Sequence, residues 1–314
     1  MSAELQHPEH FRCGYVALLG EPNVGKSTLM NTLLDQKISI VTPKPQTTRH
    51  RILGIRSTSD SQVIFLDTPG IIKPSYLLQE VMMEQVSSAL ADADVSIFMV
   101  DGTRPADPHP LGHPATEAVA RLRGLGKPVF LVINKVDLLD KGVLLPMMAT
   151  YAGWEVFREI HPISALTHDG TDKLLETVVS ALPLHPPLYP LDIVSEQSER
   201  FFVGEIIREK IFERYKQEIP YSTTVDIVEF RERQAAQEGD QPTKWFIRAD
   251  VYVERDSQKG ILIGKKGAAL REIGMLARGD IEEFLQHPVF LELHVRVRPK
   301  WRDEREWLSR LGYK

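Results

Sequence analysis

The sequence contains a single cysteine, Cys13, among 314 residues. One cysteine excludes an internal disulfide framework, so a reducing compartment is the default expectation. No apolar run approaches the ~18 to 20 residues that cross a bilayer, and the first residues lack the basic and apolar regions of a signal peptide. We therefore predict a cytoplasmic protein that neither spans a membrane nor is exported.

Extremes of charge and composition are also absent. With 42% hydrophobic and 26% charged residues, the chain is typical of a globular protein and is neither collagen, coiled coil nor globally disordered. The net charge of -5 argues against a globally basic nucleic-acid binder. Residues 196–314, however, carry equal numbers of basic and acidic residues, and the basic ones cluster in KGILIGKKGAALR and VRVRPKWR. Such local clusters can steer a polyanion in spite of the total.

The chain length predicts about two domains. Within 1–182, helical segments alternate with five apolar runs: YVALLG, QVIFLD, VSIFMVDG, KPVFLVINK and the stretch near HPIS. This alternation predicts βαβ units, hence an α/β domain with a mostly parallel sheet and flanking helices. Most of the runs end on a polar residue or glycine, at the sheet edge where ligands bind.

A proline-rich segment, LPLHPPLYPLD, predicts a linker at 183–195. The second domain, 196–314, then shows the order helix, strand, polar loop (231–243), strand, glycine-rich ILIGKKG, helix, short helix around IEEFL, and strand. In each of the last two strands, apolar and polar residues alternate, so that the apolar residues share one face. These residues are Trp245, Ile247, Ala249, Val251 and Val253 in one strand, and Val289, Leu291, Leu293, Val295 and Val297 in the other. The predicted architecture is α+β, in the order αββααβ, with a C-terminal amphipathic helix.

The segment after the first strand fits the phosphate-loop pattern G-x-x-x-x-G-K-[ST]. Its backbone N–H groups would surround phosphates, Lys26 would reach the terminal phosphates, and Ser27 would offer a hydroxyl to Mg²⁺. The nucleotide-binding residues predicted here are Gly20, Glu21, Pro22, Asn23, Val24, Gly25, Lys26, Ser27 and Thr28. This loop alone does not separate GTPases from ATPases or kinases.

Further motifs follow the later strands. In DTPG, Asp67 can hold Mg²⁺ through its water shell, and the Gly70 N–H can sense a γ-phosphate. In NKVD, the Asp137 carboxylate can accept hydrogen bonds from N1 and N2 of guanine, which adenine cannot offer. These motifs add Asp67, Thr68, Pro69, Gly70, Ile71, Asn134, Lys135, Val136 and Asp137, and the later loop adds Ser164 and Ala165. The predicted ligand is GTP or GDP.

With these motifs in order, residues 15–182 resemble a small GTPase domain of the translation-factor class. PQTTRHR (45–51) fits the first switch, in which Thr48, rather than Thr47, would close on Mg²⁺. Together with the αββααβ unit, the motifs resemble the Era family of bacterial GTPases along nearly the whole chain. The resemblance implies GTP hydrolysis, with Lys26, Thr48 and Gly70 as catalytic residues, and Mg²⁺ held by Ser27, Thr48 and Asp67.

The resemblance also implies partners and a second cation. The expected partners are the 3′ end of small-subunit ribosomal RNA and the 30S-type subunit, bound by a monomer. Peripheral membrane association is a property of the family, but the sequence contains no basic amphipathic helix that would require it. Ile71 stands where many small GTPases carry a water-orienting glutamine, so intrinsic hydrolysis should be slow. The family suggests K⁺ held partly by Asn23, and a turn-favouring asparagine without a metal is the alternative.

A GXXG loop, residues 264–267, indicates a type II KH domain, whose loop clamps the backbone of about four nucleotides. The predicted RNA-binding residues are Ile263, Gly264, Lys265, Lys266, Gly267 and Arg271. A further set is predicted either to extend the basic track or to be merely solvated: Arg278, Arg296, Arg298, Lys300 and Arg302. Trp301 is predicted either to stack on a base or to lie in the core.

The preferred function is that of a GTP-driven ribosome assembly factor. A constitutive RNA-binding scaffold with a structural nucleotide site is the alternative from another class. A P-loop metabolic kinase would not explain NKVD beside a KH domain, and the single phosphate loop and intact GXXG disfavour a tandem or tRNA-modifying GTPase.

Overall fold

The computed structural model describes residues 10–106, 114–232 and 243–313. Within them the chain forms two compact units, one in residues 10–75 and 79–196 and the other in residues 76–78 and 197–313. No helix of the described ranges is long and apolar enough to cross a membrane.

The first unit contains a six-stranded sheet in the order β2-β3-β1-β4-β5-β6. Its strands are β1 (Arg12–Gly20), β2 (Ile52–Ser57), β3 (Ser61–Asp67), β4 (Val95–Asp101), β5 (Val129–Asn134) and β6 (Glu159–Pro162). All neighbours are parallel except β2 and β3, which are antiparallel. The five predicted strands are confirmed. Sequence reasoning missed β2, a short edge strand in which Gly54 and Arg56 interrupt the apolar pattern.

Helices cover the sheet of the first unit. They are α1 (Lys26–Leu34), α2 (Leu77–Asp92), α3 (Pro114–Gly124), α4 (Lys141–Ala152) and α5 (Thr171–Ala181), with a 3₁₀ turn at Val136–Leu138. Strands β3 and β5 are buried along their whole length. Burial on both faces explains why they appear in the sequence as continuous apolar runs. Since β1, β3, β4 and β5 run parallel, their carboxyl ends meet at one edge.

Residues 183–195, predicted as a linker, are bound to the first unit. The buried Gln62 side chain accepts hydrogen bonds from the N–H groups of Leu188 (2.8 Å) and Tyr189 (3.0 Å) and donates to the Tyr189 carbonyl (2.9 Å). Further along, the Ile55 N–H of edge strand β2 donates to the Val194 carbonyl at 2.7 Å. The proline-rich segment therefore covers part of the sheet edge, which leaves fewer backbone groups of β2 unpaired.

The second unit is an α+β fold around the three-stranded sheet β7-β8-β9. Its elements are α6 (Glu199–Arg214), α7 (Glu218–Ser222), β7 (Thr224–Arg231), β8 (Trp245–Val253), α8 (Asp256–Ile263), α9 (Ala268–Leu285), β9 (Val289–Val297) and α10 (Arg305–Arg310), with 3₁₀ turns at Lys265–Gly267 and Trp301–Asp303. Strands β7 and β8 are antiparallel, whereas β8 and β9 are parallel. The predicted apolar faces of β8 and β9 pack against α6 and α9 in one core.

Two helices of this unit differ from the prediction. The apolar ILI belongs to α8, in which the Gln258 side chain accepts the Glu254 and Arg255 N–H groups at the helix start. The predicted short helix around IEEFL is the end of the continuous α9, because Gly279 faces open space and does not break the helix. The polar loop predicted at 231–243 lies mostly outside the described residues.

Candidate nucleotide and RNA sites

A cavity of about 460 Å³ opens at the carboxyl edge of the sheet in the first unit. The segments that surround it are the phosphate loop, the first switch, Gly70 after β3, the end of β4, the NKVD loop and the Ser164 loop. The predicted residues that line it are Pro22, Asn23, Gly25, Lys26, Ser27, Thr28, Thr48, Gly70, Asn134, Lys135, Asp137 and Ser164. The sheet therefore brings motifs that are far apart in sequence to one site.

Glycines are required in the phosphate loop for conformation and for space. Gly25 has φ 101°, and a Cβ there would lie 2.2 Å from Nδ2 of Asn134. Asn134 in turn donates from Nδ2 to the Val24 carbonyl (2.8 Å) and accepts at Oδ1 from the Ala165 N–H (2.9 Å). One asparagine thus joins the phosphate loop to both base-side loops.

Lys26 begins α1 and is only 6% exposed. Its Nζ donates to the carbonyls of Gly20 (3.1 Å) and Glu21 (2.9 Å). Burial lowers the pKa of Lys26 to about 8, against the opposing influence of the Asp67 and Glu21 carboxylates. The loop therefore holds a desolvated cation where a terminal phosphate would bind.

A cluster of hard oxygen atoms lies beside this lysine. Ser27 Oγ donates to Asp67 Oδ2 (2.6 Å) and is 2.8 Å from Thr48 Oγ1, and Ser39 Oγ also donates to Asp67 Oδ2 (2.8 Å). Oδ1 of Asp67 is buried without a hydrogen-bond partner among the described residues. Burial raises the pKa of Asp67, whereas the Ser27 hydrogen bond and the Lys26 charge lower it. Hydroxyl and carboxylate oxygens suit Mg²⁺, so these residues fit the predicted metal.

The two switch threonines face different partners. Thr48 approaches Ser27, as stated above, whereas Thr47 Oγ1 donates to the Lys44 carbonyl (2.8 Å) and is 2.6 Å from Thr42 Oγ1. Thr47 is therefore engaged within its own loop.

Gly70 approaches the phosphate loop so closely that a Cβ would lie 2.6 Å from the Pro22 nitrogen. The Ile71 N–H donates to the Gly20 carbonyl at 3.0 Å. Ile71 was also predicted to bind nucleotide; its side chain is 6% exposed, packs in the core and does not line the cavity.

Asp137 lines the base-side end of the cavity as an exposed carboxylate, near Ser164. Its neighbour Lys135, with φ 68°, donates from Nζ to Asp101 Oδ2 at 2.7 Å. Burial alone would raise the pKa of Asp101, but the hydrogen bonds from Lys135 and Thr103 outweigh it and lower that pKa. The ion pair fixes the lysine at the mouth of the cavity.

Other predicted residues are not among those that line the cavity: Gly20, Glu21, Val24, Asp67, Thr68, Pro69, Val136 and Ala165. Sequence reasoning missed several lining residues: Ile40, Val41, Thr42, Pro43, Gln46, Asp101, Arg104, Leu138 and Leu166. The position of Asp101 at the end of β4 was a usable signal, because the neighbouring strands end at the same edge.

In the second unit, the GXXG loop joins α8 to α9. Gly264 (φ 69°), Lys266 (φ 52°) and Gly267 (φ 77°) adopt left-handed backbone conformations, and a Cβ on Gly264 would lie 2.6 Å from the Ala269 Cβ. Gly267 stands at the N-terminus of α9, with Lys265, Lys266 and Arg271 exposed around it and Ile263 partly buried. Exposed cations at a helix N-terminus favour a phosphate ligand.

The other basic residues of the predicted track are mostly paired with carboxylates. Arg296 binds Asp250 (2.8 Å), Arg298 binds Glu304 (2.6 Å), Arg278 approaches Glu282 (4.0 Å) and Arg302 pairs with Glu254. Trp301 is 0% exposed and donates from Nε1 to the Ser222 carbonyl at 3.0 Å. Of the two roles predicted for Trp301, the core role is the observed one.

Comparisons with known proteins agree with this geometry. Residues 15–135 match the family model of 50S ribosome-binding GTPases, and residues 218–302 match that of KH domains. The chain is 48% identical to GTPase Era of Geobacter metallireducens over 303 residues, covering 96% of this chain and 98% of that protein. It is 46% identical to the chloroplastic GTPase ERA1 of Zea mays, covering 96% of this chain and 70% of that protein.

Solved structures with the same fold extend the comparison. A variant of Era from Aquifex aeolicus bound to GDP·AlF₄⁻ superposes with a TM-score of 0.87 at 39% identity, covering 96% of this chain and 99% of that one. Era in complex with MgGDPNP and nucleotides 1506–1542 of 16S ribosomal RNA superposes with a TM-score of 0.88 at 39% identity, covering 97% and 99%. The chain therefore belongs to the Era family of GTPases, with a P-loop GTPase domain followed by a KH domain.

Proposed function

We propose that the protein is a GTP-driven assembly factor that holds the 3′ end of small-subunit ribosomal RNA in its KH domain. The oxygen cluster of Ser27, Thr48 and Asp67 beside the phosphate loop supports the GTP-dependent part. The exposed lysines of the GXXG loop support the RNA-binding part, as does the likeness to an Era structure that contains a 16S RNA fragment. Hydrolysis would then release the RNA by loosening the switches.

In the proposed reaction, water attacks the γ-phosphate in line, and catalysis comes mainly from positioning and charge neutralisation. Lys26 balances charge on the terminal phosphates, and the Gly70 N–H donates to the γ-phosphate. Ser27, Thr48 and Asp67 would hold Mg²⁺, which supplies further charge neutralisation when bound. Since the Ile71 side chain is buried in the core and carries no polar atom, it cannot orient the attacking water.

We expect Thr48→Ala to lower the kcat of GTP hydrolysis by about 10- to 100-fold, because a metal-side oxygen is lost from the transition state. GDP affinity should change much less. Thr47→Ala is the matched control, since the Thr47 hydroxyl is bonded within its own loop. Single-turnover rates over a Mg²⁺ series measure both variants. Equal loss in the two would remove Thr48 from its proposed role.

A K⁺ site at Asn23 is a separate prediction. Asn23 has φ 65°, and its Nδ2 donates to the Pro43 carbonyl at 2.9 Å, which leaves Oδ1 as the amide oxygen for a cation. Replacing Na⁺ by K⁺ at constant ionic strength should raise the hydrolysis rate. Asn23→Ala should abolish that rise. Equal rates in both salts would mean that Asn23 only favours the turn and binds the Pro43 carbonyl, and holds no K⁺.

A constitutive RNA-binding scaffold remains the second candidate. It differs from the first proposal in one observable, because a scaffold would hold RNA equally well with GTP, with GDP or without nucleotide.

We further propose that the protein acts as a monomer in the cytoplasm. Sedimentation of the purified chain tests its oligomeric state, and flotation with anionic vesicles tests peripheral membrane association.

A further inference from the structure

Side-chain contacts from the phosphate loop and from α2 hold the switch segment that carries Thr48. Two of them come from the phosphate loop: Asn23 to the Pro43 carbonyl (2.9 Å) and Ser27 to Thr48 (2.8 Å). From α2, Nε2 of Gln79 donates to Oε1 of Gln46 at 3.2 Å, and Ser88 and Asp92 accept from Arg51 further along the segment. The contact from Gln79 is made two residues before Thr48.

The orientation of Gln79 is set by its own surroundings. The side chain is 7% exposed, and its Oε1 accepts the Ser75 N–H at 2.8 Å. That bond leaves the amide nitrogen of Gln79 to face Gln46. Ser75 lies five residues after Gly70 and just before α2. One buried amide therefore connects the segment that follows Gly70 to the segment that carries Thr48.

Gln46 needs such a contact. Its φ of 59° lies in the left-handed region, which is unfavourable for a residue other than glycine. A strained conformation persists only where neighbouring groups hold it in place. Gln46 also lines the nucleotide cavity, two residues before Thr48. Loss of the bond from Gln79 would therefore allow the backbone near Thr48 to relax away from the metal-side cluster.

We propose that Gln79 is a positioning residue for GTP hydrolysis. It holds Gln46, so that Thr48 stays close to Ser27 and Asp67. Because Gln79 also binds Ser75, the position of Thr48 is linked to that of the segment after Gly70. Gln79 does not line the nucleotide cavity, and its effect passes through Gln46. The inference rests on the proposed role of Thr48 in the same reaction.

A double-mutant cycle tests the hydrogen bond between Gln79 and Gln46, which we call the bridge. The cycle uses Gln79→Met, Gln46→Met and the double variant. Methionine keeps the approximate side-chain length and removes the amide. Each single variant should lower kcat by about 3- to 10-fold, the loss expected for one neutral hydrogen bond. In Gln79→Met, which lies outside the cavity lining, the dissociation constant for GDP should stay within about twofold, since this residue acts on positioning for catalysis. The double variant should be no slower than the slower single variant.

Glu80→Gln is the matched control, because Glu80 is the exposed neighbour on the same helix. Its kcat should equal that of the unmodified protein. Thermal melting shows whether the buried Gln79→Met variant is folded. If it is not, the partly exposed Gln46→Met carries the test alone, and unchanged kcat in that variant overturns the proposal.

Additive losses in the cycle would also overturn it, because they would mean that Gln46 and Gln79 act independently. Thr48→Ala, measured alongside, separates this inference from the proposed reaction. Slow hydrolysis in Thr48→Ala with normal kcat in the glutamine variants rejects only the bridge. Normal hydrolysis in Thr48→Ala rejects the proposed role of Thr48 itself.

Discussion

Asp137→Asn should change the base preference of the protein from guanine towards xanthine by orders of magnitude. The Asp137 carboxylate is exposed at the base-side end of the nucleotide cavity, so it is free to accept hydrogen bonds from N1 and N2 of guanine. An amide replaces one acceptor with a donor, which opposes the guanine N2 donor and suits the xanthine oxygen at that position. Unpaired polar groups in a closed site produce large discrimination.

Competition between GTP and XTP for a fluorescent GDP analogue measures the change. Asp172→Asn is the control, since it makes the same substitution at an exposed position in the first turn of α5 and outside the cavity lining. It should leave the preference for GTP unchanged. A preference for GTP that survives in Asp137→Asn would remove Asp137 from the base site.

Replacing Lys265 and Lys266 together by Asp should abolish RNA binding while basal GTP hydrolysis continues. Both lysines are exposed in the loop that precedes the N-terminus of α9. The substitution puts two negative charges where RNA phosphates would approach, and phosphate contacts supply most of the sequence-independent affinity. Any stimulation of hydrolysis by RNA should disappear with the binding.

The experiment measures RNA affinity and GTP turnover on one preparation across a salt series. Each lost phosphate contact lowers the slope of log affinity against log salt by about 0.7 for a single strand. Lys173→Asp with Lys244→Asp makes the same change of charge at exposed positions outside the loop. That control should bind RNA as the unmodified protein does. Unmodified affinity in the Lys265 and Lys266 variant would reject the KH loop as the RNA site.

Much of the first unit was predictable because its signals are local. Buried parallel strands are continuous apolar runs, and the phosphate-loop pattern needs only a strand before it and a helix after it, as β1 and α1 provide. Strand β2 was not predictable in this way. It is an edge strand of six residues, and its pairing with β3 and with Val194 is decided by tertiary contacts.

The second unit also contains some elements that local sequence patterns predict and others that they do not. Alternation identified β8 and β9, since period-two burial is visible in the sequence. Helix α8 was missed because the glycine-rich stretch suggested a loop, whereas Gln258 caps the start of that helix. The place of Trp301 was decided by its hydrogen bond to Ser222, 79 residues earlier, which no local pattern reveals.

For the nucleotide site, motif spacing predicted which residues would come together, and packing determined how they do so. Asn134 serves as a brace between three loops, and Ile71 belongs to the core; both facts depend on contacts between strands. The different partners of Thr48 and Thr47, which are Ser27 and Thr42, likewise became visible only in the observed distances.

The central claim is that GTP controls binding of this protein to the small ribosomal subunit. Co-sedimentation of the full chain with purified free small subunits, in parallel with a non-hydrolysable GTP analogue, with GDP and without nucleotide, tests it most directly. We predict strong binding with the GTP analogue, weak binding with GDP, and loss of binding in the Lys265 and Lys266 double variant. Equal binding in all three nucleotide states, or no binding to small subunits in any of them, would contradict the claim.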